Sequence, residues 1–138
     1  MKSYPYYIPQ KGVILPWIPV RIGFRKTHKI LPAQTPALLD TGADVCFISD
    51  DIAKYLGYSE KDKKIRYFTA ANNEEFPTYP EKFTLYIAGK NYECQFYVSE
   101  TLPKGLKIIL GTNGFFDRHQ VCFDVQNNEI QIISNEDN

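Results

Sequence analysis

Asp40 is the residue from which chemistry can start. It follows an apolar run, Ala37-Leu38-Leu39, and precedes Thr41-Gly42-Ala43-Asp44 and a second apolar run, Val45-Cys46-Phe47-Ile48. Apolar residues on both sides put the carboxylate at the end of a buried strand rather than on a solvated loop. A charge there is costly unless it is hydrogen-bonded or used for acid–base work. Gly42 removes a side chain beside the carboxylate and lets the backbone turn tightly. Thr41 adds a hydroxyl that both donates and accepts. Two other groups are weaker candidates. Cys46 would need a base to serve as a nucleophile, but no His lies near it in sequence and its neighbours are apolar, so it reads as a buried structural thiol. His119 and Cys122 have a ligand-like spacing, but one such pair without a second makes no zinc site, and no metal or cofactor is expected.

Residues 38–44, Leu-Leu-Asp-Thr-Gly-Ala-Asp, resemble the active-site loop of the retropepsin-like aspartic proteases. The signature of that family is two apolar residues followed by Asp-Thr-Gly-Ala-Asp. A second stretch, Ile109-Leu110-Gly111 with Asn113, resembles the apolar strand ending in Leu-Gly that crosses beneath the loop and leads into a short helix. The resemblance implies that Asp40, Thr41 and Gly42 are catalytic. It implies that Ala43 and Asp44 line the floor of a substrate groove, with the Asp44 carboxylate touching substrate backbone. It makes the polar turn Ala71-Asn72-Asn73 the tip of a flap over substrate. Two departures are visible. Retroviral flap tips are glycine-rich, whereas this one relies on Asn, which tolerates left-handed backbone. Many retroviral members carry an Arg after the Leu-Gly that pairs with the second Asp. Thr112 stands there, so Asp44 needs another partner, such as a backbone amide.

Hydrolysis by this route needs two carboxylates about 3 Å apart sharing one proton, as is established for aspartic proteases. The chain holds one Asp-Thr-Gly. A dyad therefore requires a twofold axis that sets Asp40 beside its symmetry mate, and a homodimer is expected. In the family the Thr after the catalytic Asp grips the opposite backbone, which assigns that part to Thr41. Three readings follow. The first is an aspartic endopeptidase acting on an extended or unfolded protein or peptide. The second is a dimer of low or no activity whose groove holds a peptide or protein, including a ubiquitin-pathway client. The third, a hydrolase using Cys46, is remote.

The elements that must position Asp40 read as short strands. Residues 3–11, rich in Tyr and Pro, suggest an irregular arm or an edge strand. Residues 13–24 alternate loosely, and Pro16 and Pro19 suggest an edge or a bulge. Residues 25–36 read as a polar hairpin loop. Ser49 is a good N-cap, Asp50 and Asp51 suit a first helical turn, and Gly57 suits C′. Ile52, Ala53, Tyr55 and Leu56 would form the apolar face. Residues 65–69 and 76–79 flank the polar turn. Residues 83–98, with Ala88-Gly89-Lys90-Asn91 between alternating segments, form the clearest hairpin. Residues 121–133 form another around Asn127-Asn128. About eight strands and one or two short helices predict an all-β, closed, barrel-like fold of the retropepsin type as a homodimer. The expected division is an arm over 1–11, one domain over 12–134 and a frayed tail over 135–138.

Composition sets the remaining bounds. The 138 residues suffice for one domain with a real core. Sixteen basic and sixteen acidic residues cancel, which argues against nucleic-acid or anionic-membrane partners. The charge run at residues 60–64 mixes signs and reads as a solvated loop. Three separated cysteines in apolar runs and no apolar leader suggest a reduced, cytoplasmic setting and a free-standing protein.

Overall fold

A computed structural model describes residues 1–61 and 63–134. The expected frayed tail at 135–138, and Asp62 of the expected solvated loop, lie outside the described residues. The elements run β1 Lys2–Tyr4, β2 Tyr7–Gln10, β3 Val13–Leu15, β4 Trp17–Phe24, β5 Lys29–Ile30, β6 Thr35–Leu39, β7 Cys46–Ser49, α1 Asp50–Tyr55, β8 Arg66–Thr69, β9 Glu75–Ile87, β10 Lys90–Ser99, β11 Ile108–Leu110, β12 His119–Asp124 and β13 Glu129–Ser134. The described residues thus hold thirteen strands, against the eight expected. The surplus comes largely from pieces of two to four residues, such as β1, β2 and β5, too short to carry a periodic signal.

The main sheet has the order β5-β4-β6-β11-β7-β10-β9-β8. It closes because β4 also pairs β9, through Arg21↔Tyr86, Ile22↔Leu85 and Gly23↔Thr84. Six strands, β4, β6, β11, β7, β10 and β9, therefore form a closed barrel. Alternation fills it: Ile18, Val20 and Ile22 from β4, Phe83 and Leu85 from β9, and Phe96 and Val98 from β10 are at most 1% exposed. Each such side chain contributes about 1.5–3 kcal/mol by leaving water. β1, β13 and β12 form a separate three-stranded sheet whose Ile130 and Ile132 join the same core.

Pro19 does not put β4 at an outer edge, because it pairs with another proline, Pro36 of β6. Leu39 donates to the Pro16 carbonyl at 3.0 Å, which makes positions 16 and 39 a hydrogen-bonded pair. Pairing alternates along an antiparallel ladder, so Pro19 and Pro36 face each other where no amide hydrogen is called for. Residues 76–79 and 83–87 are also one strand rather than two, since β9 continues through Pro80.

α1 follows Ser49, whose hydroxyl bonds the Asp51 carboxylate rather than capping a backbone amide as expected, and it ends in a Schellman motif. Tyr58 donates to Ala53 O (3.0 Å) and Gly57 to Lys54 O (2.9 Å), with Gly57 at φ +91°. Ala53 and Leu56 are fully buried, but Tyr55 points outward and does not belong to the apolar face. The second helix expected after Gly111 is absent among the described residues. Phe116 donates to Gly111 O and Asp117 to Thr112 O, five residues back. Gly114 at φ +117° breaks any helical run, leaving a set of turns.

Candidate active site

The chain order of the barrel strands creates the site. β6 and β7 are consecutive in sequence, yet β11 lies between them, parallel to β6 and antiparallel to β7. Residues 40–45 must therefore arch over the end of β11, and the chain leaving β11 must pass beneath the arch. Asp40 donates its backbone N–H to Leu110 O at 3.0 Å, and Ala43 donates to Asp40 O at 3.1 Å. Beneath, Thr112 donates to Ala43 O and Asn113 to Asp44 O, both at 2.9 Å, and Asn113 Nδ2 donates to the same Asp44 oxygen at 2.9 Å. Gly111 is required at the crossing. A Cβ there would lie 2.2 Å from Val45 O and 2.6 Å from Ala43 O.

Asp40 is half-buried, and its Oδ1 accepts the Gly42 N–H at 2.9 Å. That contact orients one carboxylate oxygen and leaves Oδ2 without a hydrogen-bond partner among the described residues. Thr41, Gly42 and Asp44 are exposed on the outer side of the arch, and Ala43 is half-buried. The partner expected for the Asp44 carboxylate is not found: among the described residues it has no hydrogen bond or ion pair, and only its backbone carbonyl is held. Thr112 serves the arch through its amide instead.

Ala71, Asn72 and Asn73 form the turn between β8 and β9. Asn73 adopts φ +66° and donates to Ala70 O, while Asn72 Oδ1 accepts the Glu74 N–H at 3.0 Å. Asparagine thus does the work expected of glycine. Beneath the hairpin lies a cavity of about 410 Å³. Its walls include Phe47, Asn72, Phe76, Leu102 and Ile109, with Glu74 and Glu75 at the side. Ala71, Asn73 and Asp40 do not line it. Arch and cavity join through Ala43, which packs on the Val45–Phe47–Tyr97 cluster that also receives Phe68, Phe76, Leu102 and Ile109.

Sequence reasoning missed this aromatic cluster. Phe47 meets Phe68 edge-on at 5.2 Å, and Phe68 meets Tyr97 edge-on at 5.1 Å. Arg66 lies over Phe68 at 4.6 Å and donates to Tyr97 Oη at 2.9 Å. A signal existed in the alternation of β10, where Tyr97 falls on the face opposite to Phe96 and Val98.

Two of the three thiols are buried in the structure, whereas Cys122 is exposed. Cys46 and Cys94 are buried side by side under the arch, Cys46 Sγ against Asn113 O and Cys94 Sγ against Gly114 O, each at 3.6 Å. The adjoining Cys46 thiol and then burial push Cys94 well above the usual thiol range. His119 and Cys122, three apart on β12, point to opposite faces.

No family model and no curated protein matches the sequence. Three solved structures resemble the chain in backbone. A retropepsin-like aspartic protease from Rickettsia conorii superposes with a TM-score of 0.62 at 16% identity, over 96% of this chain and 99% of that one. The retroviral protease-like domain of Ddi1 from Leishmania major gives 0.56 at 18%, over 90% and 98%. The EIAV protease in complex with the inhibitor HBY-793 gives 0.52 at 19%, over 75% and 88%. The strand order, the closed barrel and these likenesses together assign this chain the retropepsin-like fold.

Proposed function

We propose that the protein is an aspartic endopeptidase whose acid pair forms across a homodimer. The observation that carries this is Asp40. One oxygen of its carboxylate is fixed by Gly42 N–H, on an arch whose outer residues Thr41, Gly42 and Asp44 are bare in the single chain. A twofold axis at that surface brings two Asp40 side chains together. Like charges about 3 Å apart cannot both ionise, so one carboxylate keeps a proton. The ionised Asp40 takes a proton from a water as that water attacks the peptide carbonyl. The protonated Asp40 donates to the carbonyl oxygen as it becomes tetrahedral. Thr41 reaches the opposite chain's backbone, and Ala43 and Asp44 floor the groove. The β8–β9 hairpin, with Ala71, Asn72 and Asn73 at its tip, acts as the flap. An extended substrate adds as a strand, and Phe47, Phe76, Leu102 and Ile109 receive an apolar side chain.

Digestion of a denatured proteome with wild type and with Asp40→Asn tests the reading. Wild type is expected to cleave. Asp40→Asn should lose about a thousandfold in kcat/KM with its melting temperature kept. Specific activity should fall on dilution as dimers dissociate. Cleavage that persists in Asp40→Asn removes the proposal. The unpartnered Asp44 carboxylate and Thr112 favour a second reading, a dimer that holds a peptide without turnover. Equal peptide binding by wild type and Asp40→Asn, with no cleavage by either, would select it.

A further inference from the structure

Cations gather on one part of the outer barrel wall, with Glu93 at its margin bonded to Thr84. Arg21, Tyr86 and Asn91 are cross-strand partners on β4, β9 and β10, so they share a face, and it is the outer one because their neighbours Ile22 and Leu85 are buried inside. Two grooves meet around Tyr86, Asn91 and Ile30. The larger, about 650 Å³, is walled by Lys2, Arg21 and Lys90 among others. The smaller, about 320 Å³, is walled by Arg25, His28 and Lys29. Neither groove has an acidic residue in its described lining. Lys26 and Lys63 just outside are both paired with Glu81, at 3.0 and 2.8 Å. Arg21 lines the larger groove, and its buried Nε has no hydrogen-bond partner among the described residues, an arrangement that is costly for a guanidinium nitrogen.

The second feature is a backbone edge. β5 ends the main sheet, and Leu31 donates to Ile22 O at 2.9 Å. That bond makes 31 and 22 a hydrogen-bonded pair, so Ile30, opposite Gly23, points its own N–H and C=O away from β4. Ile30 is 44% exposed and lines both grooves. A strand edge bonds a peptide backbone in a way that a phosphodiester chain cannot use.

We propose that this wall is a docking site for an extended acidic peptide segment, which adds alongside β5 and lays carboxylates against Lys2 and Arg21 on one side of Tyr86 and against Arg25 and Lys29 on the other. The site is built within one chain, on the outer face of the barrel, and does not depend on the Asp40 reaction. For an endopeptidase it would act as an anchor that selects substrates or partners bearing an acidic stretch apart from the cleaved bond.

The test is fluorescence anisotropy with labelled decapeptides of glutamate, of lysine and of alternating glycine and serine, and with a ten-nucleotide oligo-dT. The protein is the full chain, both wild type and Asp40→Asn. The glutamate peptide is expected to bind at least about tenfold more tightly than the neutral one, in both proteins, and to weaken as salt is raised. Arg21→Gln and the double change Arg25→Gln/Lys29→Gln should each weaken it by about three- to tenfold. The double change is fully on the surface and leaves the fold intact by circular dichroism. Ile30→Pro removes the outward amide without removing a barrel hydrogen bond, and should weaken binding likewise. Equal binding of the acidic and neutral peptides, wild-type affinity in the charge variants or in Ile30→Pro, or tighter binding of oligo-dT than of the glutamate peptide overturns the proposal. Because Asp40→Asn is included, loss of the protease reading and loss of this one are seen separately.

Discussion

Gly111→Ala isolates the packing that holds the arch. The added Cβ would sit 2.2 Å from Val45 O and 2.6 Å from Ala43 O, where 3.4 Å is ordinary contact. Both obstacles are backbone atoms, so no side-chain rotation relieves them. Reaching 3.4 Å from 2.2 Å requires a displacement of about 1.2 Å (3.4 − 2.2) between the arch and the chain beneath it. A shift of that size breaks or strains three bonds across the crossing: Thr112 N–H to Ala43 O, and the Asn113 amide and side chain to Asp44 O, each at 2.9 Å. At a net value of about 1 kcal/mol apiece, with strain that is only partly released, the cost is about 2–4 kcal/mol. For a chain of this size about 1 kcal/mol moves Tm by roughly 4 °C, so Tm should drop by about 8–16 °C. The measurement is a thermal melt by circular dichroism at one fixed protein concentration, so that the proposed dimer contributes equally to every Tm. Gly42→Ala is the matched comparison. Its Cβ would meet only Asp40 Oδ1, at 3.2 Å, so Tm should hardly change while any activity through Asp40 falls. A Gly111→Ala protein melting within about 2 °C of wild type would refute the packing argument.

Three further outcomes follow from particular contacts. Glu81 is partly buried, which alone would raise its pKa, but hydrogen bonds from Lys63, the Lys82 amide and Lys26 outweigh this and hold it below its ordinary value of 4.5. Its stabilisation is therefore complete above that value and is lost as pH falls through the lower folded value, so Glu81→Gln should flatten the acid limb of a stability-against-pH curve; an unchanged slope below pH 4.5 would refute this. Ala88 at φ +51° and Gly89 at φ +77° form the two-residue turn of the β9–β10 hairpin, a geometry that suits Asn-Gly. Ala88→Asn should add about 0.5–1 kcal/mol, read as a higher urea midpoint. Alkylation of the native protein near neutral pH should mark the exposed Cys122 and spare buried Cys46 and Cys94, and mass spectrometry that finds Cys94 modified without unfolding would contradict the burial argument.

Much of the molecule was legible where the cause is local. α1 ends at Gly57 as expected because a left-handed terminus acts within a single turn, whereas the Ser49 side chain makes no capping hydrogen bond and bonds Asp51 instead. The β9–β10 hairpin appears because alternation on both arms meets a turn dipeptide. Proline reasoning failed at Pro19 because its consequence depends on ladder parity, which is a property of two strands and not of one. The turns at residues 112–118 were expected to be helical by resemblance, and the left-handed Gly114 decides otherwise.

By itself the order of residues determined that Asp40 ends a buried strand beside Thr41 and Gly42, that most of the chain is strand, and that a single Asp-Thr-Gly is encoded per chain. Only the tertiary structure decided that β11 separates β6 from β7, that β4 closes on β9, that Phe47, Phe68, Phe76 and Tyr97 share one cluster, and that Lys2, Arg21, Arg25 and Lys29 gather in the two grooves around Tyr86. The division has one physical reason. Turn preference, capping and alternation act over a few neighbouring residues and are written along the chain, whereas strand order, register and surface charge arise between segments distant in sequence and are selected by burying the whole core at once.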